Sequence, residues 1–244
     1  PASAPPAHVE DAAVSDAVVE NMSPRVLASL GLAYDELRAA RPDIVMVSMP
    51  AFGATGPLRD RVSYGPGIDA MSGLAHLTGY SDRGPLQPAN YYCDYNAGVL
   101  GAFATMAALR HRDRTGEGQH VELAMLEGEL QVVGEALLDY TMNGRVQPRT
   151  GNAHPSMSPH GVYPCAGDDR WIAIACEVDA QWRRICSVMR CDELALDVRF
   201  ADVVSRIHRR AEVDEIVAAW TRTRDVHQAA SELQAAGVAA GAAQ

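Results

Sequence analysis

Asp94 is the residue whose setting first suggests chemistry. It stands two residues ahead of Asn96, where apolar spacing predicts a helix to begin, so its carboxylate lies beside the free backbone N–H groups of a helix N-terminus. Those groups favour the ionised form, and an ionised, partly desolvated carboxylate can attack an activated carbonyl carbon. An aspartate at such a place is more often a plain helix cap, so residue type alone leaves both roles open. Cys93 adjoins it and carries a second potential nucleophile. Upstream, Phe52 and Gly53 open a loop, Ala51-Phe-Gly-Ala-Thr-Gly-Pro57, that directly follows an apolar run. Loops at the carboxyl ends of buried strands are where open α/β sheets hold ligands, although Gly53 and Gly56-Pro57 also read as turn formers. Arg25, Arg59 and Arg61 could bind an anion, or are ordinary solvated arginines. His154 and His160 could move protons, but a loop histidine with no such duty is the simpler reading.

The elements that must position these groups follow from pattern. Asp43 to Met49 is a continuous apolar run between prolines, which predicts a buried parallel strand. Pro24 begins a short helix with Val26, Leu27, Leu30 and Leu32 as its apolar face, and Tyr34 to Ala40 forms a second. Residues 68–77 read as helix and 78–90 as loop. Asn96 to Arg112 is the clearest helix, with Val99, Leu100, Phe103, Met106, Ala107 and Leu109 at helical spacing and basic residues at its end. Gln119 to Leu123 reads as a short strand and Ala124 to Met142 as one helix. Gly151 to Pro164 reads as a loop, Trp171 to Ala175 as a strand, and residues 180–189, 211–220 and 226–236 as helices. No repeat of 20–50 residues is visible.

Bulk properties exclude several classes. The 244 residues carry a net charge of −10, so no global field favours nucleic acid or an anionic membrane surface. No apolar run approaches the ~18 residues needed to span a bilayer, and no signal-like start is present. The five cysteines form no CxxC pair, so neither a metal site nor a disulfide framework is expected, and reduced thiols in a soluble cytoplasmic protein are. Residues 1–13 are rich in Pro and Ala and read as a linker, while the end, Leu233 to Gln244, stops without a closing element.

Several runs together resemble the CaiB/BaiF family, the family III CoA-transferases. They are Val19-Glu-Asn-Met-Ser-Pro24, Leu30-Gly-Leu32, Arg41-Pro-Asp-Ile44, Phe52-Gly-Ala-Thr-Gly-Pro57, Met71-Ser-Gly73 with Thr78-Gly79, Asp94-Tyr-Asn-Ala-Gly98, Thr115-Gly-Glu-Gly-Gln119, Gly151-Asn152, Arg199-Phe200 and Ala236-Gly-Val238. Each is weak alone; their common order is specific. The resemblance implies an α/β fold with a partial Rossmann-like large lobe over residues 14–145, carrying the nucleophile helix, and a small α+β lobe over 146–244. It also implies that the family's N-terminal βα part and C-terminal return are missing, and that two chains interlock as a homodimer.

By the same resemblance Asp94 is the nucleophile of an acyl-CoA:carboxylate CoA-transferase, passing through an aspartyl anhydride and an aspartyl-CoA thioester. Acyl-CoA and a carboxylic acid are then the substrates, with Phe52, Gly53, Arg25, Arg59 and Arg61 the residues expected to contact coenzyme A and no metal required. Cys93 is the neighbour that could instead exchange acyl groups with CoA directly. Three departures matter. Ser29 and Ser63 stand where relatives usually carry basic residues, and the Gly151 to Gly161 loop lacks the glycine run of formyl-CoA transferase relatives, holding His154, Pro155, Met157, Pro159 and His160 instead. An acyl-CoA racemase of the same family would need a histidine near position 64, where Tyr64 stands. A non-catalytic half that scaffolds a partner fits the two serines, whereas intact Asp94 speaks against it.

Overall fold

The computed structural model describes residues 11–243, so most of the linker expected over residues 1–13 lies outside the described residues. The chain forms two compact units, one up to Arg149 and one from Thr150. No described helix is long and apolar enough to cross a membrane.

The first unit is built on a parallel sheet, ordered β1 (Ala17–Glu20), β2 (Val45–Ser48), β3 (His120–Glu122). As the apolar run predicts, β2 is central and buried on both faces, with Val45 and Val47 on one and Met46 on the other. Helices α1 (Pro24–Ser29) and α2 (Tyr34–Ala40) follow β1, and Leu27 and Leu37 pack with Ile44 and Met46. The stretch expected as one helix over 68–77 is two, α3 (Gly65–Met71) and α4 (Leu74–Leu77). Gly73 between them has φ 91°, a left-handed conformation that stops the helix and that side chains with a Cβ resist.

The long helix is α5 (Tyr92–Thr115), which begins four residues earlier than its apolar spacing suggests. The large apolar residues that predict it are not the ones it buries. Val99 is 71% exposed, Phe103 68% and Met106 63%, whereas Cys93, Ala97, Gly101 and Ala108 form the buried stripe. Small residues let the helix axis come close to the sheet. A Cβ on Gly101 would sit 2.5 Å from the Met49 sulfur, and Ala108 packs on Val45 and Val47. The stretch expected as one helix over 124–142 is also broken, into α6 (Met125–Leu130) and α7 (Gly134–Asn143).

The second unit has an antiparallel sheet, ordered β4 (His160–Pro164), β5 (Trp171–Ala175), β6 (Ala239–Ala243). Two of these strands correct the sequence reading. Residues expected as loop pair as β4, and the Ala/Gly end closes the sheet as β6, because ladder pairing with β5 outweighs low strand propensity. Helices α8 (Asp179–Met189), α9 (Glu193–Leu196), α10 (Val203–His208), α11 (Arg210–Thr221) and α12 (Val226–Ala235) accompany it. Trp182, Ile185, Phe200, Val213, Val217 and Leu233 fill one core with Ile172 and Ile174 from β5.

Arg206 is fully buried in this unit. Its guanidinium donates to the carbonyls of Ser158 (2.8 Å) and Phe200 (2.9 Å) and to Asp179 Oδ1 (2.9 Å), and lies 5.5 Å from the centre of the Trp182 ring. Replacing it by Leu fills the space but strands two buried carbonyls. We expect Arg206→Leu to destabilise the unit by about 3 kcal/mol, read as a lower denaturant midpoint at unchanged slope.

Candidate active site

Asp94 is the third residue of α5 and lies in its first turn. Its backbone N–H donates to Tyr91 O (3.1 Å), Tyr91 occupies the cap position, and no side chain caps the helix. Asp94 therefore does not serve as a cap. It is also exposed, not desolvated as expected from the sequence. One side of the carboxylate rests on the first residue of α3: a Cβ on Gly65 would come 3.0 Å from Oδ2, 3.1 Å from Oδ1 and 2.9 Å from Tyr91 Cβ. Gly65 is required here by space, since any side chain would push the carboxylate away.

Tyr64, immediately before Gly65, belongs to a pocket of about 190 Å3. Phe52, Gly53, Arg59 and Arg61 line it, together with Ser63 and the residues that follow β1 and β2. So four of the five residues expected to contact a nucleotide-bearing ligand share one pocket at the carboxyl ends of the parallel strands. Arg25 lies outside that lining and pairs with Asp60 (3.2 Å), which Arg59 also approaches (3.7 Å). The pocket loop is held from below by Glu122 of β3, whose Oε1 accepts from Ala54 N–H (2.6 Å) and lies 3.2 Å from where a Gly53 Cβ would stand. With φ 86°, Gly53 is doubly constrained to be glycine. A larger hollow, about 570 Å3, lies in the second unit against small residues of β4 to β6 and contains none of these groups. His160, expected as a loop residue, is the first residue of β4 and lines that hollow; its ring centre is 5.2 Å from that of His154 and its Nδ1 2.6 Å from Asn152 O.

Beneath Asp94 is a buried acidic cluster. Asp69 of α3 and Glu129 of α6 are both fully buried, as is Cys93. One ligand atom from each of the three lies within 4.8 Å of the others. Cys93 N–H donates to Asp69 Oδ1 (3.3 Å), and the Cys93 thiol lies 3.4 Å from both Asp94 Oδ1 and Gly65 O. Burial, then the hydrogen bond to Asp94 and the surrounding carboxylates, pushes the Cys93 thiol far above its usual range. It is a hydrogen-bond donor here, not a nucleophilic thiolate. Glu129 is pushed up to about 7, by burial first and then by the Asp69 and Asp94 carboxylates.

Residues 12–244 match the model of CoA-transferase family III. The chain belongs to this family. A probable CoA-transferase from Mycobacterium tuberculosis is 41% identical over 236 residues, covering 94% of this chain and 29% of that protein. Succinyl-CoA–D-citramalate CoA-transferase from Chloroflexus aurantiacus is 35% identical over 226 residues, covering 93% of this chain and 56% of its own. Among solved structures, a CaiB/BaiF family protein from Brucella suis superposes with a TM-score of 0.88 at 32% identity, covering 96% of this chain and 61% of that one. The chain thus spans little more than half, or less, of the curated relatives it matches.

In this member of CoA-transferase family III, four residues around the candidate site escape a reading of the sequence: Gly65, Asp69, Glu122 and Glu129. A signal existed for Glu129, which falls one turn after the buried Met125 on the same face of α6. The raised value of Glu129 has a consequence for stability. Its folded value exceeds the ordinary 4.5, so stability is greatest below that pH and declines as pH rises through about 7. We expect Glu129→Gln to remove this slope: its melting temperature should match wild type near pH 4.5 and exceed it at pH 8.

Proposed function

We propose that this chain carries the nucleophile of an acyl-CoA:carboxylate CoA-transferase, and that the nucleophile is Asp94. The observation that carries the reading is an exposed, uncapping carboxylate in the first turn of α5, pressed on Gly65 beside the Phe52–Gly53–Arg59–Arg61 pocket. A coenzyme A thioester laid along that pocket has its pantetheine arm against Phe52 and Gly53, and Arg59 and Arg61 available to its phosphates.

In the proposed course an Asp94 oxygen attacks the thioester carbonyl, the C–S bond breaks, and a mixed anhydride and CoA thiolate result. The thiolate attacks the Asp94 carbonyl and expels the donor acid, leaving an aspartyl-CoA thioester. The acceptor carboxylate attacks that thioester, forming a new anhydride, and the released thiolate then takes its acyl group and frees Asp94. The Chloroflexus relative is named for succinyl-CoA, which makes a short dicarboxylate the first donor to test.

The family resemblance also carries the partial Rossmann-like lobe, the small lobe and an interlocked homodimer. Support for association is the exposed stripe of Tyr95, Val99, Phe103 and Met106 on α5, large apolar surface of the kind that interfaces cover. Sedimentation of the intact protein at nanomolar concentration should show a dimer; a stable folded monomer counts against this.

The chemistry is tested by mass spectrometry of the intact protein after incubation with succinyl-CoA. A CoA-sized adduct that hydroxylamine removes should map to Asp94 and be absent in Asp94→Asn, which keeps the fold but loses turnover by several orders of magnitude. Gly65→Ala, which displaces the carboxylate without altering charge, should lower turnover by about 100-fold. An adduct on Cys93, or full activity in Asp94→Asn, would overturn the assignment.

A further inference from the structure

We propose that Asp69 and Glu129 share one proton beneath the nucleophile and act as positioning residues for Asp94. The inference rests on the reading of Asp94 as nucleophile and adds a mechanism that holds it in place.

The geometry is that of an acid pair without a counter-charge. Both residues are fully buried. Asp69 Oδ2 and both Glu129 oxygens have no hydrogen-bond partner, and an oxygen of each residue lies within 4.8 Å of the other's. No described cation pairs with either carboxyl. Two buried carboxylates side by side are strongly unfavourable, whereas a carboxyl and a carboxylate joined by one proton satisfy both groups. The proton sits on a Glu129 oxygen and is donated to Asp69 Oδ2. Asp69 keeps Oδ1 for Cys93 N–H (3.3 Å), and the Cys93 thiol reaches Asp94 Oδ1 (3.4 Å). With that proton in place, a hydrogen-bonded line runs from α6 through α3 to the first turn of α5. The titratable groups facing Glu129 are Asp69 on α3 and Cys93 and Asp94 on α5; all are acids.

That line couples the pair to catalysis. While Asp94 is a free carboxylate, its charge favours the proton on Glu129, in keeping with the value near 7. When Asp94 becomes an anhydride or thioester the charge is gone, the proton is held less tightly, and it returns when Asp94 is regenerated. If Glu129 loses its proton while Asp94 is free, repulsion between Glu129 and Asp69 breaks the line. The added charge also repels the incoming CoA thiolate.

The experiment is single-turnover formation of the hydroxylamine-sensitive adduct from succinyl-CoA between pH 6 and 9. In wild type the rate should fall roughly tenfold or more from pH 6.5 to 8.5 as Glu129 ionises. Glu129→Gln, neutral at every pH and still able to donate to Asp69, should be within about threefold of wild type at pH 6.5 and flat across the range. Asp69→Asn removes the like charge and should shift the fall to lower pH. Superimposable wild-type and Glu129→Gln profiles would overturn the proposal, as would a stoichiometric divalent ion in the purified wild-type protein. An infrared carbonyl band of a protonated carboxyl, lost from wild type above pH 7 and absent in Glu129→Gln, reports the shared proton without any turnover. If that band behaves as expected while no adduct forms on Asp94, the nucleophile assignment fails and the proton pair stands.

Discussion

Everything in the first unit follows from the need to cover β2 on both faces. A strand reading Val45-Met-Val-Ser48 with parallel neighbours on each side has no solvent face. The helices α1 and α2 cover Met46, and α5 covers Val45 and Val47. Because α5 meets β2 through Ala108 and the following Met49 through Gly101, it lies close, and that closeness fixes where its first turn ends up. Asp94 is therefore placed at the carboxyl edge of the sheet by backbone proximity along the helix, with Gly65 leaving room for it.

Legibility in the sequence divides along the same line. The buried strand and the two short helices before it are readable, because apolar runs and turn residues report burial and helix ends directly. The buried face of α5 is not. Its signal came from Val99, Phe103 and Met106, which are exposed in this chain, while the stripe that packs is made of residues too small to register as a hydrophobic pattern. Periodicity shows that a helix has an apolar side; it does not say what covers it. The breaks between α3 and α4 and between α6 and α7 were missed because pattern reading joined neighbouring helical turns, although Gly73 offered a warning. Strand β6 was missed because Ala and Gly carry no strand preference, and only the ladder with β5 gives them one.

Glu129 and Asp69 were hidden for a different reason. A glutamate within Met-Leu-Glu-Gly-Glu-Leu reads as a solvated helix face, and an aspartate inside an apolar helix reads as a local exception. Only packing of α3, α5 and α6 against one another brings the two carboxyls together away from water and cations. The cost of burying them is reduced if they carry one charge between them, which makes protonation part of how these helices pack.

The same electrostatics sets Cys93 and Asp94 apart. Cys93 is fully buried among Asp94, Asp69 and Glu129, and each of these carboxylates disfavours a thiolate. Asp94, one residue on, is exposed at the surface. Burial and the cluster thus hold the Cys93 thiol protonated, whereas the adjacent Asp94 stays exposed. A thiol in that position is useful as a donor: its S–H lies within reach of Asp94 Oδ1 and leaves Oδ2 without it. The one arrangement thus disfavours a thiolate at Cys93 and sets its S–H against the carboxylate beside it.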